Sequence, residues 1–196
     1  MKITNIKIEN FRSIKQTDFA TTDFNICVGQ NNCGKTNFFE AIEFFFNGIG
    51  RGGNVEDLKF KREAANEIVV EVSFSGAIAG AAQMQNQTNK TKIETALNGS
   101  DTVMFRRSST VPNKRKMFVG GVEVQPGTGF DAALNDFLPK FEYISTKQYY
   151  DSVAKYAKTT PIGIMLSGVL TTILQSNQQY QEFQAKFREL FEDDSS

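Results

Sequence analysis

The hydrophobic pattern at the start of the chain predicts strands. In residues 2–11 the apolar Ile3, Ile6 and Ile8 stand among polar neighbours, which is typical of a strand with one buried face. Residues 18–20 predict a short second strand that pairs with it. We therefore expect the chain to begin with two neighbouring strands.

A short apolar run, a glycine-containing loop and a helical pattern then follow one another directly. Residues 24–28 (FNICV) have the length and composition of a buried strand. In residues 37–46 (NFFEAIEFFF) apolar side chains recur at helical spacing over a wide face, and Asn47-Gly48 supplies a helix end. The predicted order is strand, loop and helix.

The later sequence predicts an antiparallel meander followed by helices. Strands are predicted at residues 67–75, 102–108 and 116–124, the last of them folded back at Gly120-Gly121. Residues 77–98 are polar and rich in Gln and Asn, and we expect an exposed insertion there. The remaining predictions are a helix at 130–138, a short strand at 141–144, and helices at 161–175 and 178–191.

These elements predict an α/β protein with a mixed sheet and an antiparallel subdomain. They do not follow the βαβαβ succession of a small kinase or GTPase. We interpret residues 1–60 as a strand, loop and helix core, and residues 61–128 as the meander, with a polar insertion at 77–100. Residues 129–196 are expected to be a helical region.

Composition and charge narrow the chemistry. The 196 residues contain 22 Lys plus Arg and 22 Asp plus Glu, so bulk charge does not favour nucleic-acid binding. The chain has no histidine, which excludes histidine bases and histidine metal ligands. A disulfide between Cys27 and Cys33 would distort the loop, so we expect reduced thiols in a cytoplasmic protein. No signal peptide or membrane-spanning run is found, and no membrane partner is expected.

Residues 29–36 carry the motif on which the functional interpretation depends. They read GQNNCGKT and match G-x-x-x-x-G-K-[ST], the phosphate-binding loop of nucleoside triphosphatases. Backbone amides that wrap into a helix start converge on a triphosphate, and the helix dipole adds positive potential there. Lys35 is expected to contact the β- and γ-phosphates, and Thr36 to hold Mg²⁺. The predicted strand and helix supply the context that this motif requires.

The residues around this loop resemble a family of ATPases. The chain reads MKITNIKIENFRSI, then VGQNNCGKTN, then FEAIEFF. This pattern resembles the ABC-type ATPase heads of the RecF, SMC and OLD families, and most closely the OLD-like ATP-dependent endonucleases. The resemblance implies a P-loop NTPase fold, here the N-terminal lobe of an ABC-type head, with ATP and Mg²⁺ as ligands. It also implies a homodimer formed through the heads of the full-length protein, with DNA as a partner.

The resemblance also assigns roles to individual residues. The loop and its surroundings would bind nucleotide: Gly29, Gln30, Asn31, Asn32, Cys33, Gly34, Lys35, Thr36, Asn37 and Arg12. Of these, Thr36 would bind magnesium and Arg12 would lie near the base or the α-phosphate, although a surface arginine at a strand end is the alternative for Arg12. Gln148 is a candidate for the glutamine that senses the γ-phosphate, but we favour a solvent-facing helix residue.

Two motifs of a complete ABC-type head are missing from the sequence. No apolar run after the loop ends in Asp-Glu, the pair that supports Mg²⁺ and positions the attacking water. The Leu166-Ser167-Gly168 tripeptide lies in an apolar helical pattern, and we interpret its likeness to a signature loop as chance. One hypothesis is therefore the N-terminal part of a longer ATPase, with little or no hydrolysis by this chain alone. That protein would be an OLD-like nuclease in DNA processing or phage defence, or a RecF/SMC-type repair protein.

The other hypothesis is a binding module that dimerises or recruits a partner in response to ATP without hydrolysing it. Two further classes were weighed and set aside. A GTPase would show Asn-Lys-x-Asp, whereas residues 89–92 read NKTK, and a small-molecule kinase does not suit the meander. The basic Lys114-Arg115-Lys116 run, with Arg106-Arg107 nearby, could touch a DNA backbone, although solvated hairpin charges are the commoner explanation.

Overall fold

A computed structural model describes residues 1–50, 52–125, 127–143, 163, 166, 174 and 177–182. The chain divides into two compact units, Met1–Phe141 and Glu142–Ser196. The first unit contains the sheet and the helices described below. In the second unit residues 178–182 are helical, and the Asn177 side chain accepts a hydrogen bond from the amide of Tyr180 at 3.1 Å.

Six strands form one sheet in the first unit. They are β1 (Lys2–Phe11), β2 (Ile14–Ala20), β3 (Val69–Ser75), β4 (Thr102–Ser108), β5 (Lys116–Val119) and β6 (Val122–Glu123). The strand order is β2-β1-β3-β4-β5-β6, and each neighbouring pair is antiparallel. The strands predicted from the alternating pattern are confirmed, including the hairpin turn at Gly120-Gly121.

A bulge in β1 explains the irregular spacing of its isoleucines. Ile3 lies opposite Phe74 of β3, and the register shifts by one residue before Asn5. The extra residue places Ile3, Ile6 and Ile8 on one face of the sheet, although strict alternation would separate Ile3 from the others. Ile6 and Ile8 are 3% and 0% exposed, so this face belongs to the core.

The helix predicted at residues 37–46 is confirmed as α1 (Lys35–Asn47), and it packs against this apolar face. Its ring of Phe44 lies 6.0 Å from that of Phe11, measured between centroids. The helix ends at Gly48, whose φ is 75° and whose amide donates to the carbonyl of Phe44 at 2.9 Å. A side chain at Gly48 would collide with the guanidinium of Arg107. The buried residues of α1 are Ala41, Ile42, Phe44, Phe45 and Phe46.

The predicted insertion at 77–98 is helical and partly buried, so the expectation of a wholly exposed segment was wrong. It forms α2 (Ala77–Ala82) and α3 (Gln87–Leu97), and α3 packs against α4 (Phe130–Phe137). Ile93 and Leu97 of α3 are 0% and 2% exposed. The polar composition concealed this face, because only two apolar residues of α3 reach the core.

The strand predicted at residues 24–28 is not formed. The segment has no regular secondary structure and pairs with none of the six strands, and all of its side chains except the half-buried Cys27 are exposed. The exposed fractions are 79% for Phe24, 70% for Ile26 and 89% for Val28. The apolar composition predicted burial, but the sheet described here offers the segment no neighbouring strand. The short strand predicted at 141–144 is likewise absent from its described residues, 141–143.

The later helix predictions fall mostly outside the described residues. Positions 163, 166, 174 and 178–182 are helical, and the rest of 161–175 and 178–191 is not described. Across the described part of the chain, no helix has both the length and the apolar character needed to cross a membrane.

Candidate phosphate-binding site

The segment from Gly29 to Gly34 forms a tight loop directly before α1. The amide of Cys33 donates to the carbonyl of Gln30 at 3.4 Å, which closes a turn. Asn32 and Gly34 have φ values of 63° and 101°, and this left-handed geometry bends the backbone into the helix start. The sequence motif therefore sits at the loop-to-helix junction that it predicts.

The amino-terminal end of α1 is open. The first four amides of a helix have no partner within the helix. Here Gly34 precedes the helix without any side-chain cap, and the first turn carries no acidic residue. The first amide to find a helical partner is that of Phe38, which donates to the carbonyl of Gly34 at 3.0 Å. The free amides and the positive end of the helix dipole suit an anion.

Both motif glycines lie where a side chain would fill the loop. A Cβ on Gly29 would lie 2.8 Å from the Cys33 sulfur, and one on Gly34 would lie 3.0 Å from the Ser13 hydroxyl oxygen. A side chain at either position would therefore crowd a neighbouring side chain, and glycine allows the loop to keep this tight shape.

Lys35 supplies the positive charge of the loop. Its ammonium nitrogen lies 2.7 Å from the carbonyl oxygens of both Gly29 and Gln30, and 3.8 Å from the Cys33 sulfur. The side chain thus curls over the loop that precedes it. Thr36 is exposed at the second position of α1, where its hydroxyl can reach a cation bound beside the loop. The residues present fit a nucleoside triphosphate with its Mg²⁺.

Arg12 lies beside the same helix, one turn beyond the loop. Its Nε is 3.0 Å from the Glu40 Oε2, which makes an ion pair without the alignment of a hydrogen bond. Its amide donates to the carbonyl of Leu58 at 2.6 Å, and its φ of 48° is left-handed. The turn therefore brings Arg12 to α1, and a contact between Arg12 and nucleotide stays a prediction.

Sequence reasoning missed Ser13, the residue after Arg12. Its hydroxyl oxygen accepts a hydrogen bond from the Asn37 side chain at 2.7 Å. The two residues are 24 positions apart, and no local pattern joins them. The only signal available was the position of Ser13 in the strand turn that precedes the loop.

A cavity of about 480 Å³ lies on the Arg12 side of α1. Glu40, Glu43 and Asp57 line it together with the glycine-rich segment that follows the helix. Burial, and next the nearby charge of Glu40, raise the pKa of Glu43. This side of the helix is therefore acidic, unlike its amino-terminal end.

The basic residues of the meander are largely neutralised within the fold. The Nε of Arg106 donates to the Glu71 carboxylate at 2.7 Å, and its guanidinium also lies over the ring of Phe118. Lys116 lies 3.1 Å from Glu123. These pairs agree with charges of a solvated hairpin and leave little free positive charge for a DNA backbone.

Arg107 is buried, and Arg115 is half-buried. Arg107 is 5% exposed, and no acidic side chain in the described part of the chain pairs with it. Burial, and next the charge of Arg115, lower the pKa of Arg107 to about 10. Arg115 donates to the carbonyl of Phe46 at 2.9 Å, near the carboxyl-terminal end of α1, where the helix dipole favours a cation. Arg115 thus contacts the carboxyl-terminal end of α1, and the buried Arg107 is not available to a surface partner.

Two predicted features lie outside the described residues: Gln148, and Ser167-Gly168 of the tripeptide. Within the described ranges, no group of three Cys, Asp or Glu side chains could hold a metal ion. Among the described residues, the Thr36 hydroxyl is the candidate ligand for a magnesium ion beside the loop.

Comparison with known proteins agrees with this geometry. The family model described as an AAA ATPase domain matches residues 1–160. The Old nuclease of Escherichia phage P2 is 24% identical over 188 residues, covering 91% of this chain and 31% of the nuclease. The DNA replication and repair protein RecF of Rickettsia bellii (strain OSU 85-389) is 26% identical over 159 residues, covering 73% of this chain and 42% of RecF. The chain thus spans less than half the length of these relatives.

A solved structure agrees in fold. It comes from work on the ATP-driven dimerization and DNA-stimulated activation of SMC ATPases, and it superposes with a TM-score of 0.50 at 20% identity. The match covers 85% of this chain and 96% of that one. The predicted α/β P-loop fold and the resemblance to OLD, RecF and SMC proteins are confirmed. The chain belongs to the AAA ATPase domain family, and it is similar in sequence to the Old nuclease and to RecF.

Proposed function

We propose that this chain is the nucleotide-binding, N-terminal lobe of an ABC-type ATPase, and that its ligand is ATP with Mg²⁺. The observation that carries the proposal is the open amino-terminal end of α1 behind the loop, with the Lys35 ammonium held at the carbonyls of Gly29 and Gln30. The amides after Gly34 and the ammonium would bind the phosphates, and the Thr36 hydroxyl would hold the cation. Bound Mg²⁺ neutralises phosphate charge.

The rest of the head is proposed to lie in a longer protein. Support comes from the exposed apolar residues Phe24, Ile26 and Val28, which stand at alternate positions as in a strand that lacks its neighbours. A further cavity of about 380 Å³ lies between this segment and α1, lined by Cys27 and Phe38 among others. Relatives more than twice as long as this chain provide sequence for such neighbours.

The full-length protein is proposed to couple ATP to DNA processing or phage defence in the cytoplasm, as a homodimer joined through its ATPase heads. The similarity to the Old nuclease favours a nuclease, and that to RecF favours repair. The SMC structure supports dimerisation by ATP. Since the described strands include none that ends in Asp-Glu, we expect this chain alone to hydrolyse ATP very slowly or not at all. This same feature favours the alternative of a non-hydrolysing, ATP-gated module.

The test is MgATP binding by the purified chain, measured by calorimetry. Lys35→Ala is expected to weaken binding by about a hundredfold or more, because it removes the only loop cation. Lys15→Ala is the matched control, since Lys15 is an exposed lysine of β2. Equal binding by wild type and Lys35→Ala would contradict the assignment of the loop.

A further inference from the structure

Ser13 joins the turn after β1 to the first turn of α1, directly after the phosphate-binding loop. Its hydroxyl oxygen accepts from the Asn37 side-chain nitrogen at 2.7 Å. The same oxygen lies 3.0 Å from the position that a Cβ on Gly34 would occupy. Gly34 and Asn37 flank Lys35 and Thr36, the candidate phosphate and cation ligands. The Ser13 hydroxyl is bonded at one end of this segment and would clash with a side chain at the other.

The turn that presents Ser13 is held firmly. Asn10 and Arg12 have left-handed φ values of 54° and 48° on either side of Phe11, which is 1% exposed. The Asn10 side chain donates to the carbonyl of Glu67 at 2.9 Å, and the Arg12 amide donates to that of Leu58. Non-glycine residues keep such angles only where the surroundings fix them. The turn that carries the Ser13 hydroxyl is therefore anchored in the core.

The Asn37 side chain does not cap its own helix, although its position would allow this. Asn37 is the third residue of α1, where a polar side chain can interact with the helix's own amino-terminal end. Its amide group points instead to Ser13. The Asn37 side chain therefore does not cap the helix, and it ties the helix start to Ser13 instead.

We propose that Ser13 and Asn37 are a positioning pair that holds the first turn of α1, and with it Lys35 and Thr36, in the geometry that binds a triphosphate. The inference rests on the proposed function and adds to it a pair of residues that need not touch nucleotide. The Arg12–Glu40 ion pair, one turn further along α1, supports the same connection. Without the pair, the loop must be ordered at the moment of binding, and affinity falls.

The experiment is a double-mutant cycle on MgATP affinity in the full chain. Ser13→Ala and Asn37→Ala are each expected to weaken binding by about three- to tenfold, the net effect of one hydrogen bond. The double variant is expected to be no weaker than the poorer single variant, because both changes remove the same interaction. Ser13→Thr keeps the hydroxyl and is expected to restore most of the affinity.

Ser108→Ala is the matched control. It removes another short bond between exposed side chains, 2.6 Å from Ser108 to Thr110, on β4 and away from the loop. It should leave MgATP affinity unchanged, and its melting temperature should shift about as much as that of Ser13→Ala. A purely structural role for Ser13 would show the melting shift without the change in affinity.

Three outcomes are distinguishable. If the fold-losses in MgATP affinity of Ser13→Ala and Asn37→Ala multiply in the double variant, the proposed pairing is wrong, because Asn37 then acts independently of Ser13. Unchanged affinity in Ser13→Ala would also overturn it, while a large loss in Lys35→Ala would leave the proposed function intact. If wild type binds no MgATP, or Lys35→Ala binds as well as wild type, the proposed function itself fails.

Discussion

Phe24 and Phe45 lie on opposite sides of the phosphate-binding loop and differ in burial. Phe24 is 79% exposed, whereas Phe45, on α1, is 0% exposed. The segment before the loop pairs with no strand of the sheet, and α1 packs onto the face that β1 and β3 present. Both segments are apolar in sequence, so composition does not separate them. What separates them is the presence of a partner surface.

This contrast separates the region expected to determine stability from the region expected to bind nucleotide. The strands of the antiparallel sheet pair with one another within the first unit, and the sheet and α1 together enclose a core rich in phenylalanine. Because α1 is held by that core, the end of the loop that leads into α1 is held as well. The exposed segment leaves apolar surface in water, which is unfavourable by about 25 cal/mol for each Å² that could be buried. We therefore expect stability to depend on the helix side, and nucleotide binding to depend on the loop.

The largest expected effect comes from truncating one phenylalanine on each side. Phe45→Ala should destabilise the chain by about 3–5 kcal/mol, because it leaves a cavity in the core. Phe24→Ala should change stability by no more than about 0.5 kcal/mol, because that ring lies in solvent. Chemical denaturation of the two variants measures the difference. Similar losses in both would show that residues 24–28 are packed in solution, and the contrast would be lost.

A smaller effect is expected within the loop. Gly34→Ala places a side chain at a φ of 101° and 3.0 Å from the Ser13 oxygen. We expect a loss of about 1–2 kcal/mol in stability from the strained backbone, and at least about tenfold weaker MgATP binding.

Gly99→Ala separates these two effects. Its φ is 78°, and no atom lies within 4 Å of the added Cβ. The same kind of backbone strain should appear there in the melting curve, with unaltered nucleotide affinity. If Gly34→Ala binds MgATP like Gly99→Ala, the shape of the loop is not what recognises the ligand.

The smallest effect concerns the flank of α1. Burial raises the pKa of Glu43 above its ordinary value of 4.5, so the folded state holds its proton more tightly than the unfolded state. The resulting penalty is full above the folded pKa and disappears as the pH falls below 4.5. Glu43→Gln should stabilise the chain at pH 7 by less than about 1 kcal/mol and lose this advantage below pH 4.5.

The control for Glu43 is Glu63→Gln, an exposed glutamate in the segment between α1 and β3. It should show no comparable gain at pH 7. A gain for Glu43→Gln that persists unchanged into acid would mean that desolvation is not its cause, and that this side of the helix is wetter than the structure indicates.

Local patterns predicted much of the fold because local physics determines it. Alternation identified β3 and β4, the helical spacing of phenylalanines identified α1, and Gly48 marked the helix end. Contacts between elements that are distant in the sequence could not be predicted. The bulge before Asn5 depends on the register with β3, and the burial of α3 depends on α4.

The candidate site divides in the same way. The loop and Lys35 are contiguous in sequence, so a motif predicts them together. The contact between Ser13 and Asn37 spans 24 residues, and the pairing of Arg12 with Glu40 requires the turn after β1 to meet α1. Neither contact follows from spacing. The sequence also did not predict which surface would pack against residues 24–28, because an apolar run indicates burial but not its partner.

The central claim is that backbone amides from Asn31 to Asn37 bind the phosphates of ATP. Hydrogen exchange, resolved by residue, tests it most directly: the chain is compared alone, with MgATP and with adenosine. The account predicts that MgATP slows exchange at these amides and that adenosine, which has no phosphate, leaves them unchanged. Protection by MgATP that leaves these amides untouched, or equal protection by adenosine, would contradict the claim.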